Sequence, residues 1–170
     1  MTGKIALVGA SVFTGATMLS NKALLIDGAH VAGFCAENDI PTDYTVTPLK
    51  GGTLAPGFID LQVNGGGGVF FNECPTVEGI QKIAKAHRRY GTTSMLPTLI
   101  SDNFDNMKLA CLAVEEARAE GVAGVLGIHI EGPYLNIARK GVHDPAVIRD
   151  VDADLFELLS VEKLGSSILT

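Results

Sequence analysis

The chain has 170 residues, with 13 Lys plus Arg against 19 Asp plus Glu, and a formal charge of -6. An acidic chain without a Lys/Arg cluster argues against nucleic acid or an anionic membrane surface as its main partner. No apolar run nears the ~20 residues that cross a bilayer, and Met1 to Ala10 with its single Lys4 does not make a signal peptide, so a cytoplasmic location is expected. The three cysteines, Cys35, Cys74 and Cys111, are odd in number and lack CxxC spacing, which suits a reducing compartment and core-filling thiols.

Residues 1 to 55 read as a small β subdomain, an incomplete β-sandwich. Lys4 to Val8, Ala23 to Ile26 and His30 to Cys35 are apolar runs, and Asp27-Gly28 between the last two is a hairpin signal. Leu54-Ala55-Pro56-Gly57 marks the boundary. From 56 to 170 the texture changes. Gly57 to Asn64 predicts a strand that runs into four glycines. Thr76 caps a helix to Tyr90 with Val77, Ile80, Ile83, Ala84 and His87 on one face, and Gly91 stops it. Thr92 to Ile100 predicts a second strand. Ser101 or Asp102 caps a helix whose stripe is Met107, Cys111, Val114 and Ala117. Val122 to Ile130 predicts a third strand, and Arg149 to Ser160 a third helix. This β-α-β-α-β-α order is the repeat of parallel βα units, with strands apolar on both faces under a cover of helices. An eight-fold barrel takes ~250 residues, so the pattern leaves open a small open sheet or the front part of a barrel.

Glu131 stands at the C-terminal end of the third strand, where Gly132 and Pro133 end it. A carboxylate there needs a partner for its charge. A divalent metal is one such partner; the alternative is a carboxylate that caps a loop or pairs with Arg139 or Lys140. The run Gly65 to Gly68 lacks a following Lys-Ser or Lys-Thr, which excludes a P-loop; it predicts close backbone approach beside the site.

Gln62-Val-Asn64-Gly, Leu96-Pro-Thr-Leu-Ile, His129-Ile-Glu131-Gly-Pro-Tyr-Leu-Asn136 and Lys140-Gly-Val-His143 resemble, in that order, the N-acetylglucosamine-6-phosphate deacetylase family of the amidohydrolase superfamily. The resemblance implies an α/β fold: a small β-sandwich subdomain followed by the first three βα units of a (β/α)8 TIM-type barrel. It implies metal-dependent hydrolysis of the acetamide of N-acetylglucosamine 6-phosphate to glucosamine 6-phosphate and acetate, with one zinc or iron ion. Glu131 matches the metal-binding glutamate and His143 a histidine that contacts the sugar. Gln62 and Asn64 stand where other superfamily members carry His-x-His. Gln62 then helps hold water, and Asn64 faces the substrate; the alternative is a strand-end pair that satisfies nearby backbone. His129 reads as core or as support for the site, not as a ligand.

The family's remaining metal histidines and catalytic Asp lie on later strands. The residues after Glu131 offer acidic groups only in loop and helix text, and Ser160 to Thr170 depart from the family's pattern. The expectation is a truncated chain, inactive alone, from a family of homodimers. Other expectations weighed against it are a dihydroorotase-like enzyme, a D-amino-acid deacylase, and a non-catalytic fragment that binds sugar phosphate.

Overall fold

The computed structural model describes residues 3–160 and 162–170. Met1 and Thr2, which head the apolar N-terminal stretch, and Val161 lie outside the described residues. The chain divides into two compact units, one up to Pro56 and one over Gly57–Thr170.

The first unit is all strand and turn. Its strands are β1 (Lys4–Val8), β2 (Ser11–Phe13), β3 (Met18–Leu19), β4 (Lys22–Asp27), β5 (His30–Ala36), β6 (Thr45–Pro48) and β7 (Thr53–Leu54). Among the described residues they form a four-stranded sheet in the order β5-β4-β1-β6 and a three-stranded sheet in the order β3-β2-β7. The Asp27-Gly28 signal sits where expected: Asp27 pairs with His30 across a two-residue turn, and Ile26 with Val31. The shorter strands carry too few residues for alternation to reveal them, and their pairing with distant segments (Val12 with Leu54, Ala6 with Val46) defines them instead.

In the second unit β8 (Phe58–Val63) leads into a tight hairpin of β9 (Gly65–Gly66) and β10 (Val69–Phe70), then α1 (Val77–Arg88). There follow β11 (Thr92–Ile100), α2 (Phe104–Ala119), β12 (Gly127–Glu131), α3 (Ala153–Leu159) and β13 (Ser166–Leu169). The sheet runs β13-β12-β11-β8, and every neighbouring pair in it is parallel. The fourth strand is a departure from expectation. Ser166 to Leu169 show too little apolar text to announce a strand, yet Ile128 and Ile130 of β12 align with Ser167 and Leu169 in register.

The helices are where periodicity put them, with shifted starts. Thr76 accepts the Gly79 N–H at 3.1 Å and caps α1. Asn103, not Ser101 or Asp102, caps α2, taking the Asn106 N–H at 2.9 Å. Ser101 and Asp102 have other partners, described below. The third helix begins at Ala153, not Arg149: Asp152 caps it by accepting the Leu155 N–H at 3.2 Å, and the Arg149 N–H is taken by the Pro133 carbonyl at 3.2 Å. The segment from Val122 to Gly124 is a turn, not strand: the Val122 N–H bonds back to the Ala117 carbonyl at 2.8 Å, and Gly124 O accepts from Met95 N at 2.7 Å.

Ile80 and Ile83 of α1, Met107, Cys111 and Val114 of α2, and Met95, Leu99, Ile128 and Ile130 of the sheet form the core, closed by Leu155 and Leu164. Burial pushes the Cys111 thiol up to about 12, so it is an inert filler. β8 breaks the expectation of strands apolar and buried on both faces. Phe58, Ile59 and Leu61 are 68%, 62% and 52% exposed, since among the described residues β8 has a sheet neighbour on one side only. Among the described residues no helix is long and apolar enough to cross a membrane.

Candidate functional site

Parallel strands deliver their C-terminal ends to one edge of the sheet. The register sets Ile100 beside Glu131, and Ile130 beside Leu169. Gln62 near the end of β8, Asn64 after it, Ser101 after β11 and Glu131 at the end of β12 therefore come together from distant sequence.

Glu131 is the centre of the group. Its Oε2 accepts the Gln62 amide N–H at 3.0 Å and faces the Asn64 amide nitrogen at 3.5 Å. Its Oε1 lies 3.7 Å from His143 Nε2. Neither Arg139 nor Lys140 is its partner among the described ion pairs; Lys140 Nζ instead donates to the His143 carbonyl oxygen at 2.9 Å and closes its own turn. Gln62 and Asn64 do not serve nearby backbone through their amide nitrogens. They point them at the carboxylate, because a half-buried charge without partners costs more than an unpaired amide at a strand end.

His143 is buried, at 6% exposure, although it comes from a loop. Its Nδ1 receives the backbone N–H of Ser101 at 3.3 Å and lies 2.7 Å from the Ser101 hydroxyl. A backbone N–H can only donate, so Nδ1 holds the lone pair and Nε2 carries the proton. His129, also buried, has Nδ1 at 3.4 Å from Thr98 Oγ1 and Nε2 at 3.1 Å from Thr170 Oγ1. Burial holds its pKa below the usual histidine value against the field of Glu131 and a backbone bond with Leu61. Both its nitrogens are occupied by hydroxyls.

Thr98 also accepts the Val63 N–H at 2.9 Å. The β8–β11 register shifts between Met95 and Pro97, and here a side chain meets the amide of Val63, between Gln62 and Asn64. The glycine run has a different role from the one expected. His87 Nε2 lies 2.8 Å from the Gly65 carbonyl oxygen, and a Cβ on Gly66 would come 2.9 Å from the His87 ring. The close approach is of the hairpin to α1, not of backbone to the carboxylate.

Sequence reasoning missed Ser101, Thr98 and Thr170. Ser101 reads as a helix cap, and nothing local distinguishes a capping serine from one that holds a loop histidine forty-two residues away.

A divalent metal finds an incomplete donor set here. The groups facing Glu131 are two amide N–H donors and a protonated imidazole nitrogen, and among the described residues no three of His, Cys, Asp and Glu gather to hold an ion. These residues do not by themselves fit a metal site.

The amidohydrolase family model matches residues 53–164. The chain belongs to that family. Its core is accordingly the parallel sheet with covering helices of the amidohydrolase fold, with the accessory sheets before it. The chain is 39% identical over 166 residues to an N-acetylgalactosamine-6-phosphate deacetylase of Shewanella sp. (strain ANA-3), covering 95% of this chain and 42% of the relative. It is 36% identical over 156 residues to an N-acetylglucosamine-6-phosphate deacetylase of Haemophilus influenzae, covering 92% and 41%. The crystal structure of N-acetylglucosamine-6-phosphate deacetylase from Pasteurella multocida superposes with a TM-score of 0.90 at 35% identity, over 97% of this chain and 44% of that one. The chain thus spans about two fifths of the length of the curated relatives it matches, 42% and 41%.

Proposed function

We propose that this chain supplies the Glu131 side of a site that hydrolyses the acetamide of an N-acetylated hexosamine 6-phosphate, releasing acetate and the amino-sugar phosphate. The observation that carries this reading is the convergence of Gln62, Asn64 and His143 on one carboxylate, at the C-terminal ends of parallel strands. Similarity to two deacetylases that differ in the sugar supports the substrate class and leaves gluco and galacto isomers as rivals.

Each residue has a task in this reading. The amide nitrogen of Gln62 is spent on Glu131, so its carbonyl oxygen is the end left to hold the attacking water. Asn64 and His143 present N–H groups to oxygens of the sugar or its acetyl carbonyl. In a site closed from solvent such donors stabilise developing oxyanion charge. A zinc or iron ion belongs to the reading only with donors beyond those gathered here, Glu131 giving it carboxylate oxygen. In its fullest form the reading has the second unit as the first βα units of a (β/α)8 barrel and the first unit as part of a β-sandwich.

The test is acetate release by the protein made from its complete reading frame. N-acetylglucosamine 6-phosphate, N-acetylgalactosamine 6-phosphate and unphosphorylated N-acetylglucosamine are the three substrates. Release from a phosphorylated sugar, lost at least a hundredfold in Glu131→Gln, is expected. Release untouched by Glu131→Gln, or none from either phosphorylated sugar, would overturn the reading.

A further inference from the structure

We infer that Ser101 is a positioning residue that fixes His143 with its proton on Nε2, so that the site presents an N–H and never a nitrogen lone pair beside Glu131. The inference deepens the proposed reading of the site and rests on it for the identity of what binds there.

Two groups of one residue converge on one ring nitrogen. The Ser101 N–H and hydroxyl both face His143 Nδ1, at 3.3 and 2.7 Å. The hydroxyl's one proton has a second acceptor in the Glu131 carbonyl oxygen at 3.3 Å, and the shorter contact, to Nδ1 at 2.7 Å, takes it. Ser101 is 7% exposed, and water does not compete freely for these contacts.

The segment that carries Ser101 is held on both sides. Before it, Asn72 bonds both polar groups of Ile100, accepting its N–H at 3.1 Å and donating to its carbonyl at 3.0 Å. After it, Asp102 accepts from Asn72 at 2.9 Å and from Asn106 at 2.7 Å. Gly132 leaves the room: a Cβ there would sit 2.0 Å from Ser101 Oγ.

The consequence is chemical selectivity. At 3.7 Å the Nε2 proton is too far from Oε1 for a full hydrogen bond, so it is available to an incoming atom. That atom must be an acceptor, the oxygen of a hydroxyl or an amide carbonyl. An ammonium group meets a like-oriented N–H and is disfavoured at that position.

A Ser101 that merely closes the loop would leave the tautomer indifferent to it. Long-range proton–nitrogen NMR of the labelled protein, with His143 assigned through His143→Gln, reads the two ring nitrogens separately. The expected pattern is an unprotonated Nδ1 and a protonated Nε2. In Ser101→Ala, which keeps the backbone N–H and loses the hydroxyl at 2.7 Å, the two nitrogen shifts move part of the way toward each other, and Ser101→Thr restores them. A proton on Nδ1 in the unmodified protein, or shifts unmoved in Ser101→Ala, would overturn the inference; the first is read on the unmodified protein itself. In the acetate assay Ser101→Ala lowers kcat/KM on the order of tenfold, the value of one lost hydrogen bond, and costs nothing further in a His143→Gln background. An additive further loss counts against it. A protein that releases no acetate yet shows the expected tautomer sinks the proposed function and leaves the positioning role standing.

Discussion

Replacing Thr98 by valine keeps the shape of the side chain and removes one oxygen. Thr98 is fully buried, and that oxygen accepts the Val63 N–H at 2.9 Å, donates to the Leu96 carbonyl at 3.1 Å and lies 3.4 Å from His129 Nδ1. Val63 is itself buried, so its N–H has no water to turn to. Orphaning that donor costs about 1–3 kcal/mol, and losing the bond to Leu96 adds about 1 kcal/mol. The expected destabilisation is about 2–4 kcal/mol, a large share of the ~5–15 kcal/mol that holds a typical domain. Urea unfolding should show a lower midpoint with an unchanged slope. Thr98→Ser keeps the oxygen and drops one methyl, at a cost of about 1 kcal/mol. NMR should show the amides of Gln62, Val63 and Asn64 shifted in the valine variant and not in the serine one. A valine variant as stable as the serine variant would refute the idea that a side chain completes the β8–β11 ladder.

Gly132→Ala should destabilise by about 2–4 kcal/mol in denaturant titration, since a non-glycine residue at φ +84 costs about 1–2 kcal/mol and the new Cβ drives Ser101 Oγ off His143. Ile80→Ala, in the fully buried stripe of α1, should cost about 2–5 kcal/mol through lost burial and the cavity it leaves; a loss under about 1 kcal/mol would mean that the core as described is not packed. Desolvation raises the Asp152 pKa, but the Leu155 N–H, the Tyr134 hydroxyl and Arg149 together bring it below its ordinary 3.8. A depressed carboxylate contributes stability that is present above its unfolded value and lost as pH falls through the folded one. Asp152→Asn keeps a capping oxygen, so the advantage of the native protein over this variant should be seen near neutrality and fade below pH ~4. An advantage that persists undiminished to pH 2 would contradict that assignment.

The second unit was legible because its signals are local. Thr92 to Ile100 is strand from end to end as its β-rich text predicts, and the apolar stripes of α1 and α2 are the buried ones. Gln62, Asn64, Glu131 and His143 were picked out through motifs, and the structure gathers the other three around the Glu131 carboxylate. What stayed illegible depends on contacts between distant residues. Ser101 looks like a cap until His143 reaches it, and Ser166 to Leu169 look like loop until β12 offers a ladder. The glycines after β8 signal close approach without saying to what, and the answer is a helix. The sequence alone determined the alternation of three strands and three helices in the second unit and the buried stripes of α1 and α2, because periodicity and turn chemistry act between near neighbours. Only tertiary structure decided which nitrogen of His143 faces Ser101, what pins Val63, and that the amides of Gln62 and Asn64 serve Glu131. Those are matters of ångströms between strands, and no local preference encodes them.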